Sequence, residues 1–398
     1  MGAVTPAKAL ATFATFAPSA TPSAAAPSPA SPSTARAIND RLALRLLQES
    51  GPLTATQLKT MTGLSRPSVA DLIERLTEAG LIEVVGESGE QRRGPNARLY
   101  GIVARRAYLA ALDVRTDGVT AVVTDLLGRP LAEAALPVGA PEDAVAALLR
   151  TAREAGAAHL HTVVIGAPGL VAPATGELRD TTGLPAWHRH LVNALQRSLP
   201  AVVVVENETN LAALAEQRLG VARDLESFVL LWLGAGVGAA VVLDGRLRRG
   251  ASGGAGEIGF LPVPGTDGLP SATDCGGGFH ALTGRDAVTA LAAEHGFHGP
   301  AEEAVAGAAG EPFLDALAER LALGAAAVAA VLDPGCVVLA GELGRAGGPA
   351  LAARVARRLA TLTPVPTEVR ATALGGPAVL EGARLAAREA AQEVLFGA

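Results

Sequence analysis

Apolar positions along the chain follow two regimes. From Ala35 to Gly80 they recur at helical spacing. "ARAINDRLALRLLQESG" places Ile38, Leu42, Leu46 and Leu47 on one stripe and ends at Gly51. In "LTATQLKTMTGLS", Thr54 and Gln57 have capping-box spacing for a short helix carrying Leu58, and Gly63 makes the turn. Ser65 then caps "SRPSVADLIERLTEAGLIE", in which Val69, Leu72, Ile73 and Leu76 form one stripe and Gly80 stops the helix. "LIEVVGESGEQRRGPNARLYGI" reads as two strands around a Gly-rich basic tip. From Tyr108 onward, apolar strands end in glycine turns or run into Ala- and Leu-rich helices: "AYLAALDVRTDGVTAVVTDLLGRPL", "HTVVIGAPGLV", "AVVVVENETNLAALAEQRLG", "SFVLLWLGAGVGAAVVLDGRLRRG" and "GCVVLAGELG". This pattern predicts an α/β body with a duplicated strand–loop plan.

Three helices with a glycine turn before the third, followed by a hairpin, have the order of a winged helix-turn-helix. Ser65, Arg66 and Ser68 fall at the amino end of the third helix, where side chains and backbone N–H groups can meet bases and phosphates. Arg92, Arg93 and Arg98 fall in the wing, where a loop can track phosphates or enter a minor groove. Charge is partitioned to match. Residues 35–106 carry eleven basic and eight acidic side chains, about +3, within a chain of net charge −6. A DNA-binding head on an acidic body is the expectation.

At 398 residues the chain is too long for one ordinary core. It is 49% hydrophobic and 18% charged, and its only lysines are Lys8 and Lys59, so arginine supplies nearly all the positive charge. Cys275 and Cys336 are the only cysteines, which excludes a disulfide scaffold and a Cys-rich zinc site. Residues 1–34, rich in Ala, Pro and Ser, read as a disordered tail rather than a signal peptide. No long apolar run suits a membrane span, and a cytoplasmic location is expected. The expected organisation is a tail at 1–34, a head at 35–105 and a body at 106–398.

Six motifs in order over roughly 106–398 carry a resemblance: "GAPGLV" (166–171), "LPAW" (184–187), "ENETN" (206–210), "LGAGVGAAVVLDGRL" (233–247), "GEIGF" (256–260) and "DPGCVVLAGEL" (333–343). The body resembles the ROK family (repressors, open reading frames and sugar kinases). That resemblance implies a two-lobed ribonuclease H-like, actin-type ATPase fold, and a winged helix ahead of it resembles the family's transcriptional-regulator branch.

Kinases of the family carry Asp-x-Gly-Gly-Thr on the first strand, a turn whose glycines and hydroxyl approach phosphate. Here it reads Asp113-Val114-Arg115-Thr116-Asp117; the glycines are lost, and the Asp117 carboxylate would repel phosphate, whereas Arg115 could attract it. The second phosphate loop, Gly234–Gly238, keeps its glycines but has Ala235 where kinases place a Thr, so these glycines are expected to serve only a tight turn. At the family's catalytic Asp stands Glu208, one methylene longer. Phosphoryl transfer is expected to be absent or vestigial.

The resemblance assigns sugar contacts to Gly169, Asn207, Glu208 and Glu257, with His280 at the position of a sugar-contacting Glu, where it could make recognition pH-sensitive. Zinc-containing relatives use one His and three thiolates. Here the His is Phe260, Cys275 survives, and Gly278 stands for the last thiolate, so no metal and no ATP cofactor are expected. The resulting expectation is a sugar-responsive DNA-binding regulator, a repressor of carbohydrate uptake or catabolism genes. Its partners would be operator DNA, a sugar or sugar-phosphate effector, and a second copy of itself as a homodimer or homotetramer. The alternatives are a sugar kinase with a fused DNA-binding head that uses Glu208 as base, and a ligand-independent DNA-binding scaffold.

Overall fold

The computed structural model describes residues 32–88, 97–115, 118–138, 140–179, 186–271 and 274–397. The expected tail up to residue 31, Arg92 and Arg93 of the wing tip, Thr116 and Asp117, and Leu184 and Pro185 of the LPAW motif lie outside these residues.

The head is built as its caps dictate. It comprises α1 (Pro32–Ser50), β1 (Leu53–Thr54), α2 (Ala55–Thr62), α3 (Arg66–Glu78), β2 (Ile82–Ser88) and β3 (Ala97–Ile102), with the three strands in the order β1-β3-β2. The Thr54 hydroxyl accepts from the Gln57 N–H at 3.2 Å, and Gln57 Oε1 accepts from the Thr54 N–H at 2.8 Å, forming the capping box. Gly63, at φ 71°, closes α2 in the left-handed conformation that glycine adopts without penalty. Ser65 Oγ accepts from the Ser68 N–H at 3.3 Å and starts α3, whose Val69, Leu72, Ile73 and Leu76 are all buried.

The expected α1 stripe holds only in its second half, at Leu46 and Leu47. Ile38 is 56% exposed and Leu42 is also exposed, whereas Ala43, Leu44 and Leu47 are buried. α1 turns Leu44 and Leu47 into the core with Leu46 packed against it, while Ile38 and Leu42 stay exposed. Periodicity alone does not say which turns of the helix find a partner.

The first lobe of the body contains β4 (Tyr108–Val114), β5 (Val119–Asp125), β6 (Pro130–Leu136), α4 (Pro141–Glu154), β7 (Leu160–Ala167), α5 (Ala186–Ser198), β8 (Val202–Asn207) and α6 (Glu208–Arg218). The second contains β9 (Phe228–Leu233), β10 (Val237–Leu243), β11 (Arg246–Arg248), α7 (His280–Thr283), α8 (Arg285–Glu294), α9 (Ala301–Glu303), α10 (Glu311–Leu332), β12 (Cys336–Ala340), α11 (Gly341–Leu362) and β13 (Glu368–Ala371), before the chain ends in α12 (Ala378–Gly397). The sheet orders are β6-β5-β4-β7-β8 and β11-β10-β9-β12-β13. In both, the first strand pairs antiparallel with the next strand in sequence and parallel on its other side. The same plan is therefore used twice, as the sequence pattern predicts.

α12 belongs to the first lobe. It packs on β4, β7 and α6, and a Cβ added at Gly382 would lie 1.9 Å from the Leu211 carbonyl oxygen of α6, so two helix backbones touch there. At its far end α12 meets α1, where Arg41 Nη2 donates to the Gly397 carbonyl at 2.5 Å. Buried residues run in one continuous apolar cluster from Leu44 and Leu47 in the head to Ala383 and Ala387 on α12. No helix among the described residues is long and apolar enough to cross a membrane.

Candidate functional site

β8 runs directly into α6, and Asn207 caps the helix. Its Oδ1 accepts from the Thr209 N–H at 2.9 Å and the Asn210 N–H at 3.3 Å. Its Nδ2 donates to the Gly169 carbonyl at 3.1 Å and to Glu208 Oε2 at 2.8 Å. Gly169 has φ 108°, a conformation that side chains resist, and this fixes the loop whose carbonyl meets Asn207. Three of the expected sugar contacts are thus in mutual hydrogen-bond contact.

Beneath them lies a pair that sequence reasoning missed. The buried Glu206 accepts from the Asn207 N–H at 3.0 Å, Asn210 Nδ2 at 2.8 Å, and Arg249 Nε and Nη2 at 2.7 and 2.6 Å. Arg249 follows β11 in the second lobe, so this ion pair also ties the lobes together. Its one sequence signal is an acid closing the apolar run "AVVVVE".

Glu208 is half-buried, and its carboxyl is pushed up to about 8. Burial is the main cause. Its own backbone N–H and Arg115 oppose the shift, and the carboxylates of Glu257 and Asp113 add to it. Glu257 reaches solvent on one side, while the protein on its other side pushes its carboxyl up by burial. At neutral pH Glu208 is therefore mostly protonated. In that form it can donate to and accept from a neutral hydroxyl, and only its minor ionised fraction can take a proton as a general base.

The opening of α7 explains the glycine run before it. Phe279 is fully buried, and a Cβ added at Gly324 of α10 would lie 2.5 Å from its Cζ. A Cβ at Gly278 would lie 2.4 Å from the Gly259 carbonyl oxygen, and one at Gly277 would lie 2.4 Å from the Leu269 carbonyl carbon. Backbone contact therefore demands these glycines. The half-buried His280 sits beside Gly259, in the short turn Ile258–Phe260 that follows Glu257. Zinc does not fit the residues present. Phe260 has no donor atom, and burial, reinforced by Asp274 and Glu257, pushes the Cys275 thiol up and disfavours the thiolate a metal needs. Among the described residues no three His, Cys, Asp or Glu side chains gather as a metal site.

Arg115 does not stand open to a ligand. Its Nε donates to Asp113 Oδ2 at 2.8 Å, its Nη1 to Glu342 Oε1 at 2.6 Å and its Nη2 to the Gly376 carbonyl at 3.4 Å. Burial works against its charge, but Asp113 and Glu342 more than offset it, and Arg115 is held above its ordinary value. Glu342, in the first turn of α11, also lies 4.0 Å from Arg285 Nη2, which pairs with Glu302 at 3.0 Å. The Gly234–Gly238 stretch does make a tight turn: Gly234–Gly236 join the antiparallel strands β9 and β10, which pair at Leu233 and Val237, and the Gly234 N–H donates to the Gly236 carbonyl at 3.1 Å, although none of these glycines has a positive φ. Gly234 also makes room for Glu342: a Cβ there would lie 2.3 Å from Glu342 Oε2, so a side chain would push that carboxylate aside. Gly236 has nothing within 4 Å.

In the head, Ser65, Arg66, Ser68 and Arg98 are all exposed. Farther along α3 the exposed positions include Asp71, Glu74 and Glu78, while Arg75 is tied to Asp40 at 2.6 Å and also to Asp71. Only the amino end of α3 is thus free of negative charge, and that end also carries the helix's partial positive charge.

The ROK family model matches residues 109–390, and that of the MarR family matches residues 38–94. The DNA-binding transcriptional dual regulator NagC of Escherichia coli K12 is 28% identical over 243 residues, 57% of this chain and 57% of its own length. The chain thus spans little more than half of that curated relative. The crystal structure of a ROK family transcriptional regulator, a homolog of the E. coli MLC protein, superposes with a TM-score of 0.72 at 21% identity, over 91% of this chain and 98% of the other; at that identity it bears on the fold alone. The ROK hexokinase of Thermus thermophilus gives a TM-score of 0.59 at 28% identity, over 72% of this chain and 99% of the other. The order of the two matches follows the order of the two architectures, and the chain belongs to the ROK family, with a MarR-type winged helix ahead of its sugar-kinase-like body.

Proposed function

We propose that this chain is a sugar-responsive transcriptional regulator that represses carbohydrate uptake or catabolism genes and has no kinase activity. The head, residues 35–105, binds operator DNA as part of a homodimer or homotetramer. Ser65, Arg66 and Ser68 meet the groove, and Arg98 with Arg92 and Arg93 meets the backbone. The body, residues 106–398, takes a sugar against Gly169, Asn207, Glu208, Glu257 and His280.

One observation carries the proposal: the Asn207–Glu208 site and the head share a mechanical element. α6 starts at Asn207 and Glu208, touches α12 through Leu211 and Gly382, and α12 ends on Arg41 of α1. A sugar that prefers one setting of α6 therefore shifts the setting of the head. Two features speak against a kinase: Glu208 is mostly protonated at neutral pH, and Arg115 is engaged by two carboxylates.

The test is binding to DNA from upstream of the neighbouring transport and sugar-catabolism genes, measured with and without each of a panel of sugars. One sugar is expected to change operator affinity at least fivefold, the low end of ordinary coupling energies. Operator binding that no sugar alters, or ATP-dependent sugar phosphorylation that Glu208→Gln abolishes, would overturn the proposal.

A further inference from the structure

Glu342 is a carboxylate held between two guanidinium groups and against a glycine loop. Arg115 reaches it from the end of β4 in the first lobe, at 2.6 Å. Arg285, which opens α8 in the second lobe, approaches its other oxygen at 4.0 Å. The third wall is Gly234, where a side chain would push the carboxylate aside. Two cations from two lobes converging on a bare backbone loop form an anion-binding arrangement, and the anion is part of the chain.

We propose that Glu342 is the resident anion of this interlobe site, so that the cleft excludes phosphate-bearing ligands and accepts neutral, unphosphorylated sugars. The sugar half of this statement rests on the proposed function, and the anion half does not. An incoming phosphate would have to displace a tethered carboxylate that competes at an effective concentration of about millimolar or above. It would also meet the carboxylates of Asp113 and Glu257. The two guanidinium groups that reach this wall already hold partners: Arg115 holds Asp113 and Glu342, and Arg285 holds Glu302. A neutral polyol faces no such repulsion and finds the Asn207 amide and the protonated Glu208 as hydrogen-bonding partners.

The test uses the full chain and inorganic tripolyphosphate as the probe, with affinity read by calorimetry. Glu342→Gln keeps the shape and removes the charge. It is expected to bind tripolyphosphate at least tenfold more tightly than the wild type, about 1.4 kcal/mol, and adding Arg115→Ala is expected to abolish the gain. Wild type that binds tripolyphosphate within threefold of Glu342→Gln overturns the anion half. If the variant does not fold, the wild type decides alone: micromolar binding of tripolyphosphate overturns the proposal, and its absence supports it. In parallel, free hexoses, hexosamines and pentoses and their phosphate esters are screened by thermal shift on the wild type. A free sugar is expected to stabilise the protein while its ester does not, and an ester that stabilises more than its parent sugar overturns the neutral-sugar half. If no sugar or ester binds but Glu342→Gln gains tripolyphosphate, the sugar reading fails and the resident anion stands.

Discussion

Glu208 makes the stability of this protein depend on pH in a way that one substitution isolates. Its carboxyl titrates at about 8 in the fold against an ordinary 4.5. Between those values the folded protein holds a proton that the unfolded chain has released, so the fold binds more protons and its stability falls as pH rises. The loss is absent below 4.5, accumulates up to about 8 and then levels off. At about 1.36 kcal/mol per tenfold change in acidity, the ceiling is about 4–5 kcal/mol. Glu208 keeps some contact with water, which screens part of the effect, so about 3 kcal/mol at pH 8 is the working figure. Many other groups titrate over this range, and the useful quantity is therefore the difference between Glu208→Gln and wild type in urea unfolding at a series of pH values. That difference should be near zero at pH 4.5, favour the variant increasingly toward pH 8 and then flatten. A difference that stays constant from pH 5 to 8.5 would refute the assigned burial, and with it the claim that Glu208 is protonated when a sugar arrives.

Other parts of the molecule yield further expectations. Arg249→Ala leaves Glu206 buried without its cation and should cost about 3 kcal/mol in chemical denaturation, the low end for a broken buried pair because Arg249 itself is partly exposed. Gly382→Ala forces a methyl group into the Leu211 carbonyl and should cost about 1–3 kcal/mol, seen as a fall of several degrees in Tm. Ser65→Ala removes the α3 cap and should cost about 1 kcal/mol, measured by thermal unfolding. Arg98→Ala should weaken operator binding and lower the salt dependence of log K by about one, measured by fluorescence anisotropy from 50 to 300 mM salt; an unchanged salt slope removes Arg98 from the backbone contact.

Local chemistry was legible in the sequence, and contacts between distant segments were not. The α2 capping box, the Ser65 cap and the α3 stripe all follow from residues within about twenty positions of one another, where period and cap type decide the outcome. Ile38 and Leu42 fail because their burial depends on what packs against α1, and α12 lies more than three hundred residues away. Arg115 shows the same limit. Its type is visible in the sequence, but its partner Glu342 sits 227 positions later, and the two meet only because the lobes face each other. The Gly234 loop keeps a kinase-like pattern in one dimension, whereas in three its first glycine makes room for a carboxylate.

The cleft residues also differ in what their presence implies. Asn207 caps α6 and would be useful there with no ligand at all, so it says little about function. Gly169 and Gly234 answer to backbone geometry and to Glu342. Glu208 and Glu257 are different, because burial disfavours the charge of both. Glu208 has a neutral amide as its hydrogen-bond partner, and Glu257 has no ion-pair partner among the described residues. A carboxyl that raises the energy of the fold and packs no core does not serve stability, and such groups concentrate at sites that act on something else. What they can act on follows from their chemistry: two carboxyls beside an amide and a carbonyl, with every nearby guanidinium already engaged, match a ligand made of hydroxyl groups rather than an anion.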